Sequence, residues 1–285
     1  MNVIANTETI RHHNFSLIMC MDLFNNRIRV DDVTGDIVKA IVKAENTAKE
    51  KGVEKLIFKT RKENYALFME KGYQCEAMID RYFLGSNLYF FSKYYNINRK
   101  NSNQWMKEDE IVKNVCLLEQ NLKMIHPPTE YKLKQLQPKD AKKLASLYEK
   151  VFQIYPTPLN DMNYIVKTMT EGTIYYGFYF DGEIVSAASA EVNSFYKNAE
   201  LTDCATLQEH RKHGLMKILL KELENELKAN GIFCVYSIAR ALSFGMNAAL
   251  HQLDYKYRGR LMNNCYIFDK LENMNVWVKD LSVNR

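Results

Sequence analysis

The run from Thr206 to Gly231, TLQEHRKHGLMKILLKELENELKANG, constrains this chain more than any other stretch. It reads as the end of a short strand, a basic turn holding one glycine, and a long amphipathic helix. Leu215, Ile218, Leu219, Leu223 and Leu227 recur at three- and four-residue steps, the spacing of one buried helical face. The helix therefore starts directly at the turn Arg211-Lys212-His213-Gly214-Leu215. The first amides of a helix have no intrahelical partner and carry the positive end of its dipole. A phosphate placed there gains several N–H contacts, with Arg211 and Lys212 adding charge. Gly214 lets such a ligand come close to the backbone. A solvated basic loop ahead of an ordinary helix would look the same in isolation, so the order of the surrounding elements has to decide.

Upstream, Thr173–Val192 holds two β-rich runs joined at Asp181-Gly182, a dipeptide suited to a tight hairpin. Another strand follows at Glu200–Leu207. Downstream, Gly231 closes the helix at the expected left-handed cap, and Phe233–Ile238 reads as a buried strand. A helix at Ala241–Leu253 and strands at Tyr255–Leu261 and Asn264–Phe268 come next. Ahead of all this, Tyr131–Leu136 reads as a strand, Pro138–Phe152 as a helix opened by proline, and Asn160–Met169 as another helix.

This order, β-α-α-β-β-β-α-β-α-β-β with a basic glycine turn opening the third helix, resembles the GNAT superfamily of acyl-CoA-dependent N-acetyltransferases over roughly Tyr131–Asp269. The family pattern Q/R-x-x-G-x-G/A stands here as RKHGLM: Arg211 and Gly214 match, and Met216 replaces the last small residue. The resemblance implies an acetyl-CoA cosubstrate. Main-chain groups of Ala205, Thr206 and Leu207 would pair with its pantetheine arm, and Arg211, Lys212, His213, Gly214, Leu215 and Met216 would hold its pyrophosphate. Four further strings, TDCAT (Thr202–Thr206), SIARALSFGMN (Ser237–Asn247), YKYRGRLMNNCYIF and MNVW (Met274–Trp277), resemble the β-lysine N-acetyltransferases. These carry a C-terminal GNAT domain and acetylate the terminal amine of β-lysine to give N6-acetyl-β-lysine. Alternatives are a GNAT enzyme for a polyamine or a protein or peptide amine, and a non-catalytic CoA-binding protein.

The stretch KLIFKTRKENYALFMEKGYQCEAMIDRYFLGSNLYFF (Lys55–Phe91) runs through the same features as FCVYSIARALSFGMNAALHQLDYKYRGRLMNNCYIF: strand, arginine, helix, tyrosine, hairpin. The helix Gly35–Lys51, ended by Gly52, likewise corresponds to the helix ended by Gly231. The first part thus resembles a degenerate GNAT-like half. Its turn, RVDDVTGD (Arg29–Asp36), is acidic where a phosphate would sit, so this copy is not expected to bind CoA. The expected fold class is α/β with a mixed sheet. Residues 1–97 would form an N-terminal GNAT-like αβ domain, residues 98–129 a connector with a helix at Trp105–Lys123, and residues 130–285 the catalytic GNAT domain.

Composition agrees with an intracellular, cytoplasmic enzyme. The 285 residues suggest two domains, and 47% hydrophobic residues suffice for two cores. The formal charge of +5 is spread along the chain and marks neither a nucleic-acid nor a membrane partner. The expected partner is a small amino-acid substrate, and self-association into a homodimer is left open. Six cysteines lack CxxC spacing and read as thiols. Cys204 lies beside the expected thioester, where inert packing is favoured over an acyl-cysteine. No metal site is expected, because His210 and His213 flank a turn without matching ligands.

Acetyl transfer needs a neutral amine, yet a lysine-type amine has a pKa near ~10.4, so a carboxylate must take its proton. Asp203, ranked first, and Glu200 are the candidates, on opposite faces of a regular strand unless a bulge intervenes. The resemblance assigns the oxyanion donor to the N–H of Thr206 or Leu207. It also places Leu250 at the position of the usual acid, a tyrosine, so that either the thiolate leaves unassisted or a tyrosine from another element, such as Tyr236 or Tyr257, takes the role. Arg240 is the candidate for the substrate carboxylate, with Asn247 and Glu191 as weaker candidates for amide or amine recognition.

Overall fold

The computed structural model describes residues 5–120, 126–152, 157–267 and 270–282. The first half runs β1 (Asn6–Arg11), β2 (Phe15–Asp22), β3 (Arg27–Gly35), α1 (Ile37–Glu50), β4 (Lys55–Arg61), α2 (Tyr65–Glu70), β5 (Gln74–Phe83) and β6 (Ser86–Tyr94). After α3 (Trp105–Cys116) come β7 (Lys132–Gln135), α4 (Ala141–Val151) and α5 (Met162–Thr170). The second half then runs β8 (Ile174–Phe180), β9 (Glu183–Asn193), β10 (Asn198–Thr206), α6 (Leu215–Ala229), β11 (Cys234–Arg240), α7 (Phe244–Gln252), β12 (Lys256–Ile267) and β13 (Lys270–Asp280). From β1 and from β8 onward, the same sequence of strands and helices occurs twice.

Among the described residues thirteen strands form one mixed sheet, ordered β1-β2-β3-β4-β6-β5-β12-β13-β11-β10-β9-β8-β7. Helices cover it, which bears out the expected α/β class. The leucine face of α6 does what its spacing demands: Leu219, Leu223 and Leu227 are fully buried with Ala199, Leu201, Val235 and Trp277. In the first half Ala40, Ile41, Ala44 and Ala48 of α1 pack on Leu17, Met19 and Val30. Helices α4 and α5 pack with Tyr175, Ala187 and Ala205 of the second-half strands.

The two halves meet where β5 and β12 pair antiparallel at Ala77 and Gly259. Aligning Tyr73 with Tyr255 makes these two residues equivalents, so the contact lies on the two-fold relation between the halves. Gly259 has φ +123, and a Cβ there would lie 2.4 Å from the Glu76 carbonyl oxygen. Glycine is required on both counts. From this junction the sheet curls strongly. Although five strands separate β4 from β10, Tyr196 in the β9–β10 turn donates to the Asp32 carboxylate and accepts from Arg61 Nη2 at 3.2 Å. Ile57, Phe90, Tyr236 and Val276 bury the inner surface between the halves.

Some elements differ from the sequence reading. The two strands expected at Tyr255–Leu261 and Asn264–Phe268 are one strand, β12, with register shifts against β13 between Tyr257 and Arg260 and between Leu261 and Cys265. Asn263 takes φ 38, and its N–H donates to Asn273 Oδ1 at 2.7 Å, so what read as a break is a satisfied bulge. Phe268 lies outside the described residues. The connecting helix ends at Cys116, and of its expected span residues 121–123 are outside the described residues. Helix α7 starts at Phe244 because Ala241 N–H is bonded to Asn273 O and Ser243 N–H closes a turn on Arg240 O. Among the described residues no helix is long and apolar enough to cross a membrane.

Gly259→Ala should destabilise the protein by about 3 kcal/mol or more, combining left-handed strain with a backbone clash. A denaturant midpoint unchanged from wild type would contradict the role given to this crossing.

Candidate active site

Strands β10 and β11 pair in parallel from Asn198↔Cys234 to Glu200↔Tyr236 and then part. Just past that point β10 bulges: its register on β9 shifts between Thr202 and Ala205, with Asp203 at φ 51. The N–H of Leu207 donates to Val185 O at 3.0 Å, so its amide is spent on β9. By strand alternation Ala205 points its peptide groups the same way, and Thr206 points its own into the gap. Of the main-chain groups expected to meet the pantetheine or an oxyanion, Thr206 alone of the three is therefore well aimed. Ala205 and Leu207 hold the strand in place.

The turn after β10 leads into α6 as the sequence implies. Gly214 is the helix N-cap at φ 69, Lys212 has φ 73, and Arg211 Nε donates to Thr206 O at 3.3 Å. The amides of Leu215 and Met216 open the helix, where N–H groups lack intrahelical partners. Met216 lines the cavity described next, so the larger residue narrows the cradle without moving it. His213 packs its ring on Tyr131, and His210 Nδ1 lies 2.9 Å from the Tyr131 hydroxyl. These rings brace the turn from behind.

A cavity of about 1120 Å³ extends from Thr206, Arg211 and Met216 past the parting of β10 and β11 to the inner surface of the first half. Glu191, Glu200 and Asp203 all line it. Glu200 faces Glu191 in the β9–β10 register. Burial first, then the neighbouring Glu191, pushes the Glu200 carboxyl up to about 7, against the pull of Lys59 and Arg29. Burial raises Glu191 as well. Asp203 is buried in the bulge and accepts from Ser189 Oγ at 2.8 Å. The bulge that the two-face problem called for is present, and both candidate bases reach one cavity. The ranking changes, however. Glu200 sits at the fork of the two strands with its titration near neutral pH, the condition for an efficient general base, whereas Asp203 is tied to Ser189.

The other expected residues separate clearly. Arg240 lines the cavity, but Glu272 holds its fork through Nε at 2.7 Å and Nη2 at 2.8 Å. Asn247 is fully buried: Nδ2 donates to Arg240 O and Ser243 O, and Oδ1 accepts from Asn275 Nδ2 and Trp277 Nε1. Its carboxamide is saturated, so the expected contact with substrate is corrected to a structural tie between α7 and β13. Leu250 is fully buried in the core. Of the substitute tyrosines, Tyr236 lines the cavity and Tyr257 packs on Trp277 instead. Burial, then Asp203, pushes the Cys204 thiol far up, which makes it a poor nucleophile.

Residues 142–249 match the model of the acetyltransferase (GNAT) family. The chain is 36% identical to the β-lysine N(6)-acetyltransferase of Methanococcus maripaludis, over 95% of this chain and 98% of that protein. It belongs to the β-lysine N-acetyltransferase family of GNAT enzymes. The enzyme of the same designation from Methanosarcina mazei is 38% identical over 74% of this chain and 85% of its own length. The N-acetyltransferase YodP of Bacillus subtilis is 37% identical over 96% of this chain and 99% of its own. The chain is thus an acetyl-CoA-dependent N-acetyltransferase. The parted strands and the α6 cradle fit that cosubstrate, because they offer an unpaired backbone edge beside a helix N-terminus.

Sequence reasoning missed the far wall of this acetyltransferase's cavity, which includes Arg29 and Lys59 of the first half and Tyr164 of α5. No local signal marks them: only with the strand registers in hand, and the two halves aligned on Arg61 and Arg240, does Arg29 become the counterpart of Glu200.

Glu200→Gln should lower kcat/KM by about 10²–10⁴-fold and remove a rising limb centred near neutral pH, whereas Asp203→Asn should lose less. The same carboxyl titrates at 4.5 as a free side chain and at about 7 in the fold. Between those values the folded state holds more protons, so stability falls as pH rises through the window. Thermal melts should show the variant gaining on wild type from about pH 5 to about pH 8; parallel curves would exclude the perturbed carboxyl.

Proposed function

We propose that this enzyme transfers the acetyl group of acetyl-CoA to the N6 amine of β-lysine (3,6-diaminohexanoate), giving N6-acetyl-β-lysine. The placement of Glu200 beside Glu191 at the fork of β10 and β11 carries the chemistry, and the two relatives of that designation support the substrate. The substrate amine arrives as an ammonium, with a pKa near ~10.4, and the acidic wall attracts it. Glu200 takes its proton, directly or through a water, and the neutral amine attacks the thioester carbonyl from the cavity side. The Thr206 N–H, aimed into the gap, donates to the carbonyl oxygen as it gains charge. The thiolate leaves without a strong acid, since its pKa is about 8.5, and the proton still on the attacking nitrogen passes to it or to water as the amide forms. Leu250 in place of a tyrosine is consistent with that departure.

Acetyl-CoA binds the second half in this reading, and the first half takes none. Of the three acidic residues expected in its turn, Asp31 and Asp32 lie in β3, and Asp36 alone caps α1, accepting from Lys39 N at 3.1 Å where the corresponding turn of α6 would receive a phosphate. Residues 98–129 act as the connector. Within it, Arg260 Nη1 bonds Asp109 at 2.7 Å and Glu108 accepts from Asn273 Nδ2 at 2.6 Å, so α3 is tied to β12 and β13.

A thiol-release assay across β-lysine, lysine, spermidine and peptides should show highest kcat/KM with β-lysine. Turnover confined to spermidine or peptides would overturn the substrate. Arg211→Ala should raise KM for acetyl-CoA about tenfold or more, through a lost charge-assisted contact, with KM for the amine unchanged.

A further inference from the structure

The acidic wall at Glu191 and Glu200 faces a basic one. Arg29 on β3 and Lys59 on β4 line the same cavity, which Asp31, packed behind them, does not. Asp31 serves both: it accepts from Arg29 Nε at 2.6 Å and Nη2 at 3.1 Å, and lies 2.8 Å from Lys59 Nζ. Two cations thus share one carboxylate, and a surplus positive charge is directed into the cavity. Against the cost of burial, Asp31 holds Lys59 above its ordinary range, so the ammonium stays charged. The walls are close. Lys59 Nζ lies 5.9 Å from the centre of the Tyr82 ring, and Tyr82 lies 5.8 Å from Tyr236, the register partner of Glu200.

The two-fold relation explains the opposition. Arg29 pairs with Ile57 as Glu200 pairs with Tyr236, at matching positions of the repeated strands. The curl of the sheet brings these equivalents to one cavity from opposite sides, with a guanidinium in one copy and a carboxylate in the other. Such a cavity suits a molecule that carries both signs. Arg240 brings no surplus charge, because Glu272 balances it, whereas Asp31 is shared between Arg29 and Lys59.

We propose that Arg29 and Lys59, supplied by the first half, bind the carboxylate of the amino-acid substrate while Glu191 and Glu200 receive its amines. The first half then selects amino acids over plain diamines. Asp31 takes the Nε and Nη2 edge of Arg29, so the ligand meets the guanidinium end-on through its remaining N–H groups, and Lys59 adds a point charge. This rests on the amino-acid substrate proposed above, and the test separates the two.

Wild type, Arg29→Gln and Lys59→Gln are compared on two substrate pairs that differ by one carboxylate: β-lysine with 1,4-diaminopentane, and lysine with 1,5-diaminopentane. Wild type should prefer the carboxylated member, and each variant should lose about tenfold or more of that preference through KM, with KM for acetyl-CoA unchanged. The unchanged cofactor KM, with melting temperature, reports folding, and the Lys59 variant stands if loss of Arg29 disturbs Asp31. If β-lysine is turned over and both variants keep the wild-type preference, the carboxylate pocket is wrong and the substrate stands. If lysine alone is turned over, with the preference lost in the variants, the pocket stands and the β-lysine reading fails. If wild type accepts the diamines as readily as the amino acids, the pocket is overturned.

Discussion

The rest of the structure depends on the close approach of β5 and β12. At Gly259 the chain passes so near Ala77 that a single methyl group would meet the neighbouring backbone. That contact joins two sheets of the same strand order into one, and the polar interior around it keeps them joined. Lys55 and Glu76 are a fully buried pair at 2.9 Å; Tyr94 donates to the same glutamate, and Lys55 also donates to Met262 O across the junction at 2.6 Å. Burial draws Lys55 down to about 8, with Glu76 opposing. Arg27 Nη1 to Asn264 O at 2.7 Å and Tyr266 N to Asn25 Oδ1 at 2.6 Å extend the seam. Removing one partner of such a pair leaves the other buried and uncompensated, so the seam is sensitive to the loss of either partner. With the seam fixed, the curl follows, and with the curl comes the enclosed cavity.

Within that cavity, strand geometry sorts the chemistry. The parallel contact of β10 and β11 ends at Glu200 and Tyr236. In the proposed reading, the backbone beyond the fork takes the cosubstrate and the buried wall behind it takes the substrate. The bulge at Thr202–Ala205 turns Asp203 into the cavity and leaves Thr206 facing the gap.

Much of this was legible from local signals. The leucine periodicity placed α6, Gly214 placed its start, and the Asp181-Gly182 turn placed the β8–β9 hairpin. The internal repeat was visible in the arginine, tyrosine and glycine punctuation of the two halves. What escaped depended on distant parts of the chain. Met262 and Asn263 read as a break because the partners of Asn263, the Asn273 side chain and the Arg99 carbonyl, are set by tertiary packing. Asn247 read as a recognition residue because sequence cannot show that Trp277 and Asn275 consume its oxygen. Asp203 outranked Glu200 by proximity along the strand, whereas burial and the facing Glu191 decide the pKa. Arg29 and Lys59 went unread because nothing local says that the sheet curls back on itself.

The two-fold relation carries one more consequence. If two identical chains met in this way, the two walls would carry the same residues, and a glutamate would stand at the Glu200 position of both. Joining the copies in one chain frees each from the other's identity. One wall can then become basic while the other stays acidic, which no symmetric pair of subunits could achieve. Separating the second half from the first would therefore remove half of the reaction vessel, even though the cosubstrate cradle lies wholly in what remains.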